Sequence, residues 1–272
     1  MKKKLSSRIL MNIFIGFVIL FWVTPFSWIL TTAFNPYASS ALQLPRYITF
    51  EHFQKALQDE RVLLWVFNSL WVAVAVATLT SIIVIMAAFP FSRLEFKGKG
   101  AILWFIILVR IIPFTATILP IYLFSSKIGL LNLGGVVLYQ SVFAIPFGVL
   151  LMKSFYDVIP FEFDESAALE GASIMQIIFY IIAPLSRSGI IVIWFMTFLQ
   201  SWNDFLFPFI FARTEAQHTM AIGLYSAFKE NSAIDYGLLA VLSIIYCIPS
   251  VGLYFFARKK MKTGFAGVGV KG

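Results

Sequence analysis

Six stretches of this chain are long and apolar enough to cross a lipid bilayer, and this constrains the fold before any motif is considered. They cover residues 9–31, 63–89, 101–124, 135–152, 189–211 and 236–257. A membrane-spanning helix needs roughly 20 mostly apolar residues. A soluble domain of 272 residues has no interior able to hide six of them. Composition agrees: 60% of the residues are hydrophobic and only 12% charged, against about 25% charged in an ordinary soluble domain. The first stretch continues through Trp22, Phe26 and Trp28. It lacks the shorter apolar run and small-residue cleavage site of a secretory signal, and reads as a retained span. Prolines interrupt several runs: Pro90 is expected to end the second, Pro113 and Pro120 interrupt the third, and Pro249 breaks the sixth. The expected class is an all-α membrane protein of six transmembrane helices.

Basic residues orient the spans, because Lys and Arg accumulate on the cytoplasmic side. With a cytoplasmic N-terminus, fourteen of the 21 bases fall in inner segments, six in outer segments, and Arg110 lies inside a span. Both termini are then cytoplasmic. The formal net charge of +8 has a topological origin and requires no nucleic acid. On the outside, residues 35–62 have room for an amphipathic helix with Phe53, Leu57 and Arg61 on one face.

The cytoplasmic loop 153–188 breaks the basic pattern. It holds Asp157, Glu162, Asp164, Glu165 and Glu170 but only Lys153 and Arg187. An acidic loop is ill suited to an anionic lipid surface. Its core, Asp164-Glu165-Ser166-Ala167-Ala168-Leu169-Glu170-Gly171-Ala172-Ser173, reads as a short helix of small residues. Asp164 is expected at its N-cap, Glu165 at the positive end of its dipole, and Gly171 where the chain turns or another backbone approaches. Such a helix suits docking into a partner's groove; packing beneath the membrane is the alternative.

Glu165-Ser166-Ala167, three residues, Gly171, nine residues, Ile181, one residue, then Ala183-Pro184 resembles the E-A-A-x3-G-x9-I-x-L-P loop of permease subunits of binding-protein-dependent ABC importers. Ser166 stands for the first Ala and Ala183 for Leu. Other segments resemble the six-span, maltose-transporter-like carbohydrate branch: Asn68-Ser69-Leu70, Arg110-Ile111-Ile112-Pro113, Pro120-Ile121-Tyr122, Trp202-Asn203-Asp204-Phe205, and the end Val270-Lys271-Gly272. The resemblance implies the type I importer permease architecture in a bacterial or archaeal inner membrane. It implies a first helix and external loop over 1–63, a transmembrane core over 64–257 with its coupling loop at 153–188, and a cytoplasmic tail over 258–272. Expected partners are membrane lipids, a second permease in a hetero- or pseudo-symmetric pair, two ATP-binding subunits and an extracytoplasmic solute-binding protein. ATPase coupling falls on Asp164, Glu165, Ser166, Ala167, Ala168, Glu170, Gly171 and Ala172, and further contacts on Val270, Lys271 and Gly272.

Two charges lie inside spans, Arg110 and Asp204. Such charges are costly unless paired or hydrated, so they mark a function by default. With Gln200, Trp202 and Asn203 they form the candidate translocation pathway, the alternative being a polar cluster that packs helices or subunits. His52 and His218 are isolated, so neither a metal site nor a cofactor is expected. No phosphate-binding G-x-x-x-x-G-K-[ST] occurs, so ATP hydrolysis is expected in a separate subunit. An ion-gradient-driven transporter would show several intramembrane carboxylates, and only Asp204 is available; it remains the alternative, beside an importer permease for a non-sugar solute.

Overall fold

The structure, a computed structural model, describes residues 2–229 and 234–268. The expected tail contacts Val270, Lys271 and Gly272 lie outside the described residues. All regular structure among the described residues is helical: α1 (Lys2–Ala33), α2 (Glu51–Gln58), α3 (Glu60–Arg93), α4 (Lys99–Val109), α5 (Phe114–Lys127), α6 (Leu133–Tyr156), α7 (Glu162–Leu169), α8 (Ile174–Leu185), α9 (Arg187–Trp202), α10 (Leu206–Phe211), α11 (Met220–Lys229) and α12 (Tyr236–Val268).

Four helical stretches are long and apolar enough to span a bilayer unaided: Leu10–Ala33, Glu60–Arg93, Leu133–Tyr156 and Tyr236–Phe256. The third expected run is two helices rather than one. The chain leaves α4 at Arg110 and restarts after Pro113, whose backbone is extended (φ −60°, ψ 121°). Proline has no N–H to continue the helical ladder and disfavours helix at the residue before it. The fifth run also breaks, at 203–205 between α9 and α10. Pro90 and Pro249 do the opposite of what the sequence suggests, since α3 and α12 pass through them. Beyond Pro90, α3 gains the turn that carries Ser92 and Arg93. On α2 the inward face is Ala56 with His52 and Phe53, while Leu57 is exposed and Arg61 belongs to α3; the expected Phe53–Leu57–Arg61 face does not form.

The chain forms two compact units, with boundaries inside α3, α11 and α12. The first comprises residues 1–63 and 223–248. Here Lys55 pairs with Asp235, and the Asp235 carboxylate caps α12 by accepting from the Leu238 N–H at 2.9 Å. Trp28 meets Tyr236 edge to face at 6.5 Å, and His52 Nε2 lies 3.1 Å from the Asn35 carbonyl oxygen.

The second unit comprises residues 64–222 and 249–272. One apolar cluster joins α3 (Val84, Ala88, Phe89), α6 (Val149, Met152, Tyr156), α7 (Ala167), α8 (Ile177, Ile178, Ile182) and α9 (Ile193). A second joins Val72 and Val76 of α3 to Val136 of α6 and Phe207 and Phe211 of α10. The Asn68-Ser69 pair is buried and clamps the segment after α10. Asn68 donates to the Ala216 and His218 carbonyls, both at 2.9 Å, and Ser69 Oγ accepts from the Met220 N–H at 2.7 Å. Buried amide and hydroxyl groups need such partners.

α8 and α9 meet at 82°. A π-helical turn over Ile177–Ile182 precedes the elbow, and buried Ser186 sits at it, donating from Oγ to the Ile182 carbonyl at 2.7 Å. π-turns and serine back-bonding are recognised causes of sharp bends. The elbow sets α8 across the axis of α9.

Candidate functional site

α7 runs Glu162–Leu169 and the chain reverses immediately after it. The Gly171 N–H donates to the Ala168 carbonyl at 3.0 Å and the Ala172 N–H to the Ala167 carbonyl at 3.0 Å. Those paired bonds define a Schellman turn, with Gly171 at the left-handed position (φ +83°). Among the described residues, its chain neighbours aside, nothing lies within 4 Å of where a Gly171 Cβ would stand. The glycine thus serves the turn, and its outer side is open. Ser173 then starts α8 with a capping box: its N–H donates to Gln176 Oε1 at 2.7 Å and its Oγ accepts from the Gln176 N–H at 3.4 Å.

The motif residues divide between two faces. Ala167 is buried in the apolar cluster under α7, and a larger side chain there would lift the helix. Glu165, Ser166, Ala168, Glu170 and Gly171 are exposed, and Ala172 is half-buried. Asp164 departs from its expected role. The helix begins three residues earlier, Phe161 occupies the N-cap position, and no side chain caps it. Asp164 instead turns inward and pairs with Arg93 Nε at 2.6 Å. Burial pushes its carboxyl above the usual aspartate value, against the pull of the Arg93 guanidinium. Asp157 is also paired, accepting from Lys153 at 2.6 Å and from Ser92 at 2.7 Å. Of the five carboxylates, Asp157, Glu162, Glu165 and Glu170 are exposed, and Asp157 is already paired within the chain, so the acidity available to a partner is smaller than composition suggests.

The exposed face carries a residue that charge and motif reasoning passed over. Leu169, between Ala168 and Glu170, is 90% exposed. Phe161 and Phe163, at the other end of α7, are about half exposed. A leucine in a mostly apolar sequence carries no signal; its exposure on a short helix of charged and small residues does.

The expected transmembrane residues gather around a cavity of about 1100 Å³. Its wall takes Arg110 from the α4–α5 break, Gln140 from α6, Thr197, Gln200 and Ser201 from α9, and Asn203 and Asp204 from the α9–α10 break. Arg110 stacks over Phe147 at 4.7 Å, and among the described residues no carboxylate pairs with it. Trp202 does not reach the cavity. Its side chain is buried and stacks near Phe198 at a ring separation of 6.1 Å. A helix presents residues on all sides within one turn, so Gln200, Trp202 and Asn203 cannot share one face.

Asp204 is a wall-building group. One oxygen accepts from Gln140 Nε2 at 2.6 Å, the other from the Leu206 N–H at 3.0 Å, which starts α10. Ser201 donates to the Gln140 carbonyl oxygen, closing the network. Asp204→Asn keeps only one accepting oxygen and so loses a bond. We expect a loss of about 1–3 kcal/mol in stability, measured as a lower melting temperature of the purified complex, with uptake per assembled complex near wild type. Lost uptake at unchanged melting temperature would give Asp204 a direct part in transport.

Residues 80–215, half of the chain and the stretch holding α7 and every cavity-lining residue but Val76, match the family described as binding-protein-dependent transport system inner membrane component. The galactooligosaccharides transport system permease protein GanQ of Bacillus subtilis is 27% identical over 279 residues, spanning 100% of this chain and 99% of that protein. The diacetylchitobiose uptake system permease protein DasC of Streptomyces coelicolor is 26% identical, spanning 100% of both. Among solved structures, a chain of a bacterial ABC transporter involved in the import of the acidic polysaccharide alginate superimposes with a TM-score of 0.85. It is 19% identical and covers 95% of this chain and 98% of that one. The helical architecture is therefore that of an ABC importer permease. The chain belongs to the family of binding-protein-dependent transport system inner membrane components.

Proposed function

We propose that this permease imports a carbohydrate, and that α7 couples ATP hydrolysis in a partner subunit to movement of the spans. The observation that carries the coupling reading is the build of α7: an eight-residue helix with a buried alanine beneath, exposed Glu165, Leu169 and Glu170 outside, and a glycine turn open to a partner. In this reading α7 sits in a cleft of an ATP-binding subunit through Glu165, Ser166, Ala168, Leu169, Glu170, Gly171 and Ala172, with Ala167 and Asp164 holding it from within. Closure of two such subunits on ATP displaces the helix and opens the pathway to the opposite side. Val270, Lys271 and Gly272 add contacts from the tail.

The full assembly pairs this chain with a second permease and an extracytoplasmic solute-binding protein, as the family's binding-protein-dependent character supports. Six spans result when α4 with α5, and α9 with α10, each make one broken crossing. Both termini are then cytoplasmic. The chain divides functionally into 1–63, the core 64–257 and the tail 258–272. The meeting of Ser92 and Arg93 with Asp157, Ile159 and Asp164 supports that topology, since it brings two inner loops together. The cavity walled by Arg110, Gln200, Asn203 and Asp204 forms this subunit's share of the pathway, with Trp202 packed behind it. The oligosaccharide names of the relatives favour a sugar.

Purification of the tagged chain from its native membrane in mild detergent tests this reading. It is expected to bring down a second permease and an ATP-hydrolysing subunit in a one-to-one-to-two ratio. A chain recovered alone that moves solute down an ion gradient would replace this reading with secondary transport.

A further inference from the structure

We propose that Arg93 is a positioning residue that fixes α7 to the end of α3, so that force on the coupling helix moves the span instead of swinging the loop. The inference rests on the coupling role of α7 argued above. Arg93 stands in the turn that α3 gains beyond Pro90, and its side chain is only 3% exposed. It grips the segment leading into α7 at three places. Its Nη2 donates to the Ile159 carbonyl at 3.0 Å, its guanidinium lies 4.5 Å from the centre of the Phe161 ring, and its Nε meets Asp164 at 2.6 Å. Ser92 adds a fourth hold at Asp157. The last turn of α3 therefore holds residues 157, 159, 161 and 164, which lead into and through the first turn of α7.

The other hold on α7 is of a different kind. Ala167 is its one buried residue, a single methyl group in the apolar cluster. An apolar contact resists separation but tolerates sliding, whereas a charged, hydrogen-bonded and stacked contact fixes direction as well as distance. Arginine suits this task better than lysine, because a planar guanidinium can pair, donate sideways and stack at once. Breaking one partner of a buried pair also leaves the other charge uncompensated. The sequence counts Arg93 among loop bases that set topology; its burial gives it a second duty.

The test uses the complete transporter, with second permease, ATPase and binding protein, reconstituted in liposomes. It reads solute imported per ATP hydrolysed. Arg93→Met is expected to retain the ATPase and its basal hydrolysis while the transport ratio falls about tenfold, within the range such couplings span. Arg93→Lys, which keeps the charge but loses the fork, is expected to recover part of the ratio. The exchange Arg93→Asp with Asp164→Arg is expected to recover more than either single change. A wild-type ratio in Arg93→Met overturns the proposal. If that variant does not assemble, Asp164→Asn carries the test, because it removes the charge pair alone; an unchanged ratio there overturns the proposal equally. Gly171→Asp in the same assay separates the two readings. If it uncouples and the Arg93 and Asp164 variants do not, only the latch is lost; if it too is wild type, the coupling reading of α7 falls as well.

Discussion

Gly171→Asp is expected to abolish ATP-driven uptake in a chain that still folds. Gly171 has φ +83°, a conformation that costs most L-residues about 1–2 kcal/mol. Aspartate tolerates it better than most, and among the described residues no atom stands in the way of its Cβ. The loss in stability should be about 1 kcal/mol. The loss in coupling should be far larger if α7 docks as proposed, because the substituted carboxylate then projects into the contact with the ATPase. An unpaired charge buried there costs about 3–5 kcal/mol, or on the order of a hundredfold or more in docking. The check is paired: melting temperature of the chain, and co-purification of the ATPase with uptake. Retained co-purification with normal uptake would remove Gly171 from the interface.

Leu169→Ala is the second large effect. Leu169 is 90% exposed, so its truncation should leave the melting temperature of the chain unchanged. If the side chain is buried by the ATPase, about 1.5–3 kcal/mol rests on it, and truncation should weaken docking roughly 10- to 100-fold. Titration of purified ATPase against the permease pair in nanodiscs measures this. Equal affinity for wild type and Leu169→Ala would place the docking face elsewhere on α7.

Much of the site was legible because it is local. The turn at Gly171 follows from a glycine after a run of helix formers, and the left-handed backbone there bears it out. The long crossings α3, α6 and α12 were readable from apolar length alone. What could not be read depends on distant partners. Asp164 was assigned to a cap because the sequence shows only its neighbours; its true partner, Arg93, stands at the end of α3, four helices earlier. Pro90 signalled an end, yet α3 continues for the turn that presents Arg93. Trp202 and Asp204 looked like one cluster in the sequence, but helical geometry sends the indole into the core and gives the carboxylate to Gln140. Leu169 was invisible for the opposite reason, since apolar residues are too common in this chain for one to stand out.

The most direct test of the account is uptake of a labelled oligosaccharide into liposomes holding the chain with its second permease, its ATPase subunits and its binding protein. Uptake is predicted only when hydrolysable ATP is on the ATPase side and the binding protein on the other, and it should vanish with Gly171→Asp. Uptake by this chain alone, or driven by an ion gradient without ATP, would contradict the account.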